Sequence, residues 1–326
     1  MASGGSLFTF VARRLLITVP LLFIISLAVF SLVLLLPGDP ALALAGGLHA
    51  KASTVAQIRR QLHLNEGFFA QYGLWLGHVL HGNLGHSLFS PASVPSSSVA
   101  TGIRIRFPVT LSIAVGGMVT AVVIGLPAGI AAGLRPRSWT DRIVTSVSSL
   151  AVAMPDFWLA MLLVILLAIH THVLPPLGYT PFAISPWSWF QHLLMPWLAL
   201  GFGGAATVAR QTRGSLIDTL DQDYMRTAAA KGLKPRNIIV KHALKNAVSP
   251  VMTVVGIQFG YLLGGTFIIE NIFSLPGLGT YMIQAIGTKD LPEVQGVALL
   301  TAAAFVIVNL VVDVLYAYLN PKVRLA

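Results

Sequence analysis

Six almost uncharged stretches restrict the fold of this chain more than any other feature of its sequence. Each holds about 20 residues or more, the length that an α-helix needs to cross roughly 30 Å of hydrocarbon. Because lipid offers the backbone no hydrogen bonds, each stretch must satisfy its own peptide groups as a helix. The sequence therefore predicts an all-α polytopic membrane protein with six transmembrane helices. The six stretches are Leu15–Leu36, Phe107–Leu134, Ile143–Ile169, Phe190–Ala209, Asn246–Ile269 and Val294–Leu319.

The composition supports a membrane protein and removes several other classes. Of the 326 residues, 55% are hydrophobic and only 10% are charged, whereas about 25% are charged in an average soluble domain. The chain has no cysteine, so disulfides, thiol catalysis and cysteine-bound metals are excluded. Arg13 and Arg14 precede the first stretch as they would in a signal peptide. Its 22 residues exceed the roughly 7–15 of a signal peptide's apolar region, and we expect it to remain as a span.

The distribution of lysine and arginine predicts the orientation in the membrane. Fifteen of the 21 basic residues lie in the segments on the same side as the N-terminus, and basic residues collect on the cytoplasmic side. We therefore expect a multi-pass protein of the bacterial cytoplasmic membrane with both termini in the cytoplasm. The net charge of +10 follows from this topology, and we expect no nucleic-acid partner.

This topology divides the chain into three parts. Residues 1–36 form the cytoplasmic N-terminus and the first span, and residues 37–106 form an extracytoplasmic segment. Within that segment, Val55–Leu64 and Phe68–Leu80 have the apolar spacing of short amphipathic helices, and Ser90–Ser98 has the composition of a flexible loop. Residues 107–326 form a core of five helices with a cytoplasmic loop at 210–246.

Two spans carry a glycine at every fourth position. Such a stripe gives a helix one smooth face that lets another backbone approach closely. The stripe packs either within this chain or against a second, similar subunit. The helix-packing glycines are Gly125, Gly129 and Gly133 in the second span, and Gly256, Gly260 and Gly264 in the fifth.

The cytoplasmic loop contains the densest basic cluster, with six Lys and Arg between Asp223 and Ala247. Its Asp221–Lys231 part is rich in alanine and favours a helix, Gly232 fits the left-handed position after a helix end, and Lys234-Pro235 can start a second helix. A helix, a glycine turn and a helix that presents small residues suit docking into a groove of another protein. The alternative is a basic loop that serves only as a topology signal.

The loop sequence "QDYMRTAAAKGL…KHALKNA" resembles the EAA loop of ATP-binding-cassette importer permeases, in the form found in dipeptide and oligopeptide importers. Further motifs of that family follow in the same order along nearly the whole chain. They are "RRLLITVPLLFIISLAVFSLVLLLPGDP" (13–40), "GNLGHSL" (82–88), "MPDFWL" (154–159), "ENIFSLPGLG" (270–279) and "VDVLYAYLNPKVR" (312–324).

The resemblance implies a type I permease subunit that forms half of a translocation path for peptides. Its implied partners are a second homologous permease, two cytoplasmic ATP-binding subunits, an extracytoplasmic peptide-binding protein and membrane lipid. ATP and Mg would be used by the ATP-binding subunits, and this chain would bind no cofactor. The loop would be the segment that couples to the ATPases. The implied coupling residues are Arg226, Thr227, Ala228, Ala229, Ala230, Gly232, Leu233 and His242.

The sequence departs from the family pattern at three of these motif positions. Arg226 stands where the general loop has glutamate, and Lys245 stands where it often has proline. Asn83 replaces a more usual aspartate in the outer motif. The changes at Arg226 and Lys245 leave the expected docking of the loop in place, but they alter the contacts that the loop would make.

The sequence contains no site for chemistry of its own. It lacks the G-x-x-x-x-G-K-[ST] pattern, so a P-loop ATPase is excluded and we expect no enzyme. Gly201–Ala206 matches a dinucleotide fingerprint, but no strand precedes it. The outer histidines His78, His81 and His86 have no visible converging ligands, so we expect no metal site, although related permeases import nickel.

Two acids in the spans are candidates for the translocation path or its gate. Asp156 follows Pro155 in the third span, where it either lines the path or hydrogen-bonds the proline kink. Glu270 lies at the outer end of the fifth span, where it contacts the extracytoplasmic binding protein or a neighbouring loop, or is simply solvated at the interface.

Two other functions remain as alternatives to a peptide permease. One is a permease of a related importer for nickel or another small solute. The other is a stand-alone secondary transporter, which would be expected to show inverted repeats and an intramembrane charge relay. The chain shows neither feature, and a docking loop has no purpose in such a protein.

Overall fold

The computed structural model describes residues 7–35, 41–42, 51–61, 64–89 and 97–319, and the regular structure of these ranges is almost entirely helical. The one isolated β-bridge recorded within them joins His86 and Ser98. We number the helices in chain order as α1 (Leu7–Leu35), α2 (Ala52–Gln61), α3 (Phe68–Leu80), α4 (Val99–Leu134), α5 (Trp139–Ala153), α6 (Asp156–His170), α7 (Pro186–Leu220), α8 (Asp223–Ala230), α9 (Pro235–Ile272), α10 (Leu278–Thr288) and α11 (Leu291–Leu319).

The helices that can cross a membrane confirm the predicted fold class, with one correction. Within the described ranges, α1, α4, α7, α9 and α11 are each long and apolar enough to span it. The predicted third span is instead the pair α5 and α6, bent by 102°. The cause is Pro155, which disfavours helical backbone at the preceding residue. Met154 accordingly ends α5 with an extended backbone (ψ 126°), and Pro155 begins α6 from an extended conformation.

The helix ends differ from the predicted boundaries where charged residues lie inside a helix. The second span was expected to begin at 107, but α4 begins at Val99, so residues 99–106 of the predicted extracytoplasmic segment are helical. The reason is that Arg106 is accommodated locally: its guanidinium donates to the carbonyl of Gly102 at 3.2 Å and covers the ring of Tyr281 at 4.1 Å. Helix α7 likewise continues to Leu220, well beyond the expected loop start at 210.

The described chain divides into two compact units. The first comprises Met1–Leu15, Val109–Pro276 and Phe305–Ala326, and the second comprises Leu16–Pro108 and Gly277–Ala304. In the first unit, α4 and α7 pack around a buried apolar cluster that includes Ile113, Leu193 and Leu200. The indole of Trp197 also donates to the carbonyl of Ser112 at 2.9 Å, so a polar contact fixes the two helices beside the apolar core.

The second unit contains the two short helices expected in the extracytoplasmic segment. Phe30 of α1 packs against Phe68, Tyr72 and Trp75 of α3 with ring centroids 5.4–5.6 Å apart. The hydroxyl groups of Ser26 and Tyr72 share a buried hydrogen bond of 2.8 Å. Helix α3 therefore lies against α1. The expected loop Ser90–Ser98 falls, for residues 90–96, outside the described residues.

The outer motif at 82–88 is held by a buried carboxylate of the same unit. Asp290, which is 1% exposed, accepts hydrogen bonds from Ser87 Oγ at 2.5 Å and from the Leu88 amide at 2.9 Å. Nearby, burial together with the charge of Glu293 raises the pKa of Tyr281, so its hydroxyl stays protonated. Asp290 therefore fixes the position of Ser87 and Leu88 at the end of this motif.

Candidate coupling segment and membrane path

The segment 221–246 folds as a helix, a glycine turn and a second helix, as the sequence predicted. Helix α8 ends at Ala230, and Gly232 follows with φ +77°. The amide of Gly232 donates to the carbonyl of Ala229 at 2.9 Å, and that of Leu233 donates to Ala228 at 3.4 Å. These paired bonds form a Schellman motif. The left-handed residue is therefore part of the hydrogen bonding that ends α8.

Helix α8 has one buried side and one exposed side. Met225 is 4% exposed and packs in a cluster with Leu216, Ala243 and Ala247. Most of the other residues from Asp221 to Asn237 are exposed, and of the coupling candidates on this stretch only Ala228 is half-buried. The exposed candidates are Arg226, Thr227, Ala229, Ala230, Gly232 and Leu233. The segment is thus anchored by one apolar contact and presents small residues to its surroundings.

Polar contacts join α8 to the start of α9. Asn246 Nδ2 donates to the hydroxyl of Tyr224 at 3.2 Å and to the carbonyl of His242 at 2.9 Å, and the His242 ring itself is exposed. Arg226 pairs with Asp221 at 3.1 Å, although both side chains are mostly exposed. A surface ion pair contributes little stability. Arg226, the departure from the family pattern, therefore contacts its own segment in this structure.

Asp156 lies at the sharp bend between α5 and α6. Its carboxylate faces Gly203 of α7, where an added Cβ would lie 3.4 Å from Oδ1. The side chain is exposed, and no hydrogen bond or ion pair of its carboxylate is recorded among the described residues. An unpaired acid within a span is costly in lipid and is typical of residues that line a path. The alternative interpretation requires Asp156 to hydrogen-bond the backbone at the proline kink, and no such bond of its carboxylate is present among the described residues.

Glu270 occupies a very different environment from Asp156. It is 0% exposed, and its Oε1 accepts a hydrogen bond of 2.6 Å from Thr110 Oγ1. This burial contradicts solvation at an interface, one of the sequence-based interpretations. The reason is that α4 brings a hydroxyl donor to the end of α9, so the carboxylate joins two helices of the first unit.

The two glycine stripes are used differently. At Gly125 and Gly129 an added Cβ would lie 2.4 and 2.5 Å from the carbonyl oxygens of Ala205 and Ala209 in α7, and at Gly133 it would lie 3.1–3.2 Å from Leu216 and Arg213 atoms. The first stripe thus packs within the chain. In the second stripe, Gly256 and Gly260 meet the side chains of Val312 and Phe305 of α11, whereas nothing lies within 4 Å of the Cβ position at Gly264.

The structure also contains a polar pair that the sequence analysis missed. Asp141 of α5 and Arg213 of α7 form an ion pair across 72 positions of the chain. The local signal was the pattern Ser138-x-x-Asp141 ahead of an apolar run, which is typical of a helix start. Arg213 is one of the fifteen basic residues on the expected cytoplasmic side, and the sequence does not indicate its partner. Among the described residues, no group of three or more His, Asp or Glu could hold a metal ion.

Several apolar helices long enough to cross a membrane, together with an exposed helix–turn–helix segment, fit a membrane subunit of a transport system. Residues 125–325 match the family described as "Binding-protein-dependent transport system inner membrane component", and residues 7–114 match the one described as "Binding-prot-dependent transport system membrane comp, N-term". The chain belongs to this family of multi-pass inner-membrane permease subunits of ABC importers.

Relatives resemble the chain over almost its full length. It is 40% identical over 315 residues to the glutathione transport system permease protein GsiC of Escherichia coli strain K12, covering 97% of this chain and 98% of that protein. The protein of the same name from Salmonella choleraesuis matches to the same extent. Among solved structures, the inward-facing MetNI methionine ABC transporter gives a TM-score of 0.55 at 18% identity, covering 68% of this chain and 97% of that one. This last likeness concerns the fold alone.

Proposed function

We propose that this permease imports short peptides, with glutathione as the first cargo to test. The observation that carries the proposal is the 40% identity, over 97% of the chain, to permeases named for glutathione transport. The order of peptide-importer motifs along the sequence supports the same cargo class. The chain forms half of the translocation path, and a second homologous permease supplies the other half.

Energy enters through the segment 221–246, which docks on the cytoplasmic ATP-binding subunits. Its exposed small residues leave room for a close contact, and its anchor at Met225 fixes it to the helices of the first unit. ATP and Mg act in those partner subunits. An extracytoplasmic binding protein delivers the peptide, and Asp156 at the bend of the third span lines the path. Rigid-body rotation of the spans then alternates access between the two sides.

The cargo is tested by reconstituting the chain with its partner permease, its ATP-binding subunits and its binding protein in liposomes. We expect labelled glutathione and short peptides to accumulate only when ATP is present with the ATP-binding subunits. Uptake of nickel in place of peptide would establish the alternative cargo. Uptake by this chain alone, without ATP or partners, would contradict the proposal and establish a stand-alone transporter.

The orientation is tested by single cysteines, because the chain contains no other cysteine. His78→Cys and Lys234→Cys both place the thiol at an exposed position. In intact cells we expect a membrane-impermeant maleimide to label the cysteine at 78 and to leave the one at 234 unlabelled. Both should react after permeabilisation, which controls for thiol reactivity. The reverse pattern in intact cells would place the termini outside.

A further inference from the structure

The carboxylate of Asp141, in the first turn of α5, accepts hydrogen bonds from several donors. Asp141 is only 4% exposed. It accepts hydrogen bonds from the amide of Arg137 at 2.8 Å and from Thr145 Oγ1 at 3.3 Å. Arg213 of α7 adds two more through Nη2, at 2.8 Å, and through Nε. The two oxygens are therefore shared between local donors and a donor from another helix.

The local donors fix the turn that joins α4 to α5. Arg137 has φ +64°, a left-handed conformation that a residue with a side chain seldom adopts. Its amide is held by Asp141, and the hydroxyl of Ser138 in turn accepts from the Asp141 amide at 3.2 Å. The turn and the first residues of α5 thus form one hydrogen-bonded unit. Arg213 ties this unit to α7 with a bidentate fork, which restricts both distance and angle.

Along the rest of its length, α5 meets α4 and α7 mainly through apolar side chains. A cavity of about 160 Å³ lies between α4, α5 and α7, and is lined from α5 by Val144, Val147 and Ala151 and from α7 by Ala205 and Ala209. Apolar contacts are non-directional, so the side chains that line this cavity do not by themselves fix the position of α5 along α7. The Asp141–Arg213 pair is the directional link recorded between the side chains of these two helices in the described part of the chain.

The pair also lies close to the anchor of the coupling segment. Leu216, one turn after Arg213 on α7, packs in the same cluster as Met225 of α8. An added Cβ at Gly133 of α4 would lie 3.2 Å from the carbonyl oxygen of Arg213. The last turns of α4 and α7 and the anchor of α8 are therefore in direct contact, and α5 joins this group through Asp141.

We propose that Asp141 and Arg213 are a positioning pair that makes α5, and with it the bend that carries Asp156, follow the movement of the coupling segment. This inference rests on the coupling role proposed above for residues 221–246. ATPase movement reaches α7 through the Met225 cluster, and the ion pair passes it to α5. Without the pair, α7 can shift against α5 along the apolar cavity, and ATP hydrolysis proceeds without a matching change at the bend.

The test measures the number of ATP molecules hydrolysed per peptide imported by the complete reconstituted complex. For Arg213→Gln we expect import to fall about tenfold, within the range of typical coupling interactions, while hydrolysis stimulated by the binding protein stays within about twofold of the unmutated complex. For Arg213→Lys, which keeps the charge but loses the bidentate fork, we expect an intermediate ratio.

Two matched variants separate this role from general stability. Arg210→Gln removes an exposed arginine one turn earlier on the same helix, for which no ion pair is recorded in the described residues. Thr145→Val removes a donor to Asp141 from within α5 but leaves the link to α7. Both are expected to keep the unmutated ratio. A large rise in the ratio for either one would overturn the assignment to the pair.

Arg213→Gln leaves a buried carboxylate without its partner and so risks misfolding. The double variant Asp141→Asn/Arg213→Gln removes both charges, and we expect it to fold and still show the raised ratio. If import and hydrolysis instead fall in parallel, or if neither changes, the pair has no positioning role. If the unmutated complex shows ATP-dependent import and the double variant has the same ratio of ATP hydrolysed to peptide imported, only this inference is overturned. An unmutated complex without ATP-dependent peptide uptake overturns the proposed function, and this inference with it.

Discussion

Replacing Gly232 by valine is expected to reduce ATP-driven import strongly while the membrane spans stay inserted and folded. Gly232 has φ +77°, and no atom lies within 4 Å of an added Cβ, so the effect comes from the backbone rather than from crowding within the chain. A β-branched residue is a true outlier in the left-handed region, at a cost of about 1–3 kcal/mol. The turn that ends α8 then opens, and α8 changes its angle to α9. We expect import to fall by at least about tenfold, the factor that 1.4 kcal/mol represents.

Two substitutions distinguish this backbone effect from a general sensitivity of the segment. Gly232→Asn should keep most of the import activity, because asparagine tolerates the left-handed conformation. Gly214→Ala adds a methyl group to α7 at a position with nothing within 4 Å, and should be neutral. The measurements are peptide import, ATP hydrolysis stimulated by the binding protein, and co-purification of the ATP-binding subunits. Import at the unmutated rate by Gly232→Val would show that the segment does not couple.

Replacing Gly129 by leucine is expected to prevent the first unit from folding properly. An added Cβ at Gly129 would lie 2.5 Å from the carbonyl oxygen of Ala209 and 2.6 Å from Cβ of Thr212. These atoms belong to, or are fixed by, the α7 backbone and cannot move aside, so α4 and α7 must separate. Overpacking of a core costs about 1–3 kcal/mol and occasionally more, and here we expect the upper part of that range. The measurements are the yield of monodisperse protein in detergent and its Tm.

Gly264→Leu is the matched control, since nothing lies within 4 Å of its added Cβ. The isolated chain should fold normally with this change. Loss of assembly with the second permease by the Gly264 variant would identify this end of the second stripe as the contact between subunits. A Gly129→Leu chain with unmutated yield and Tm would contradict the close packing of α4 on α7.

The membrane spans were predictable because the cost of burying charge in lipid leaves a mark along the sequence that needs no tertiary contact to be read. The ends of the helices were not, since Arg106 is tolerated inside α4 through contacts with Gly102 and Tyr281 that depend on folding. Pro155 indicated a kink, but its 102° angle depends on how α5 and α6 pack against other helices.

The helix–turn–helix structure of residues 221–246 was predictable because its signals are also local. Alanine-rich sequence, a glycine and a Lys-Pro restart all act locally, and the structure has the expected turn with Gly232 at φ +77°. The contacts of Glu270 with Thr110 and of Asp141 with Arg213 join residues 160 and 72 positions apart. Tertiary packing determines which residues so distant along the chain come into contact, and a single sequence does not reveal these pairs.

Helix α7 has a mechanical consequence that follows from its length. Its 35 residues, from Pro186 to Leu220, extend roughly 52 Å at 1.5 Å per residue. A helix of this length acts as a lever: a tilt of about 5° about one end displaces the other by roughly 4.5 Å, given that rise per residue. With residues 221–246 docked as proposed, a small tilt of α7 about its Leu220 end therefore produces a larger displacement at its Pro186 end. The distance that the Pro186 end travels thus depends on the number of turns in α7, and removing one turn would shorten that travel in proportion.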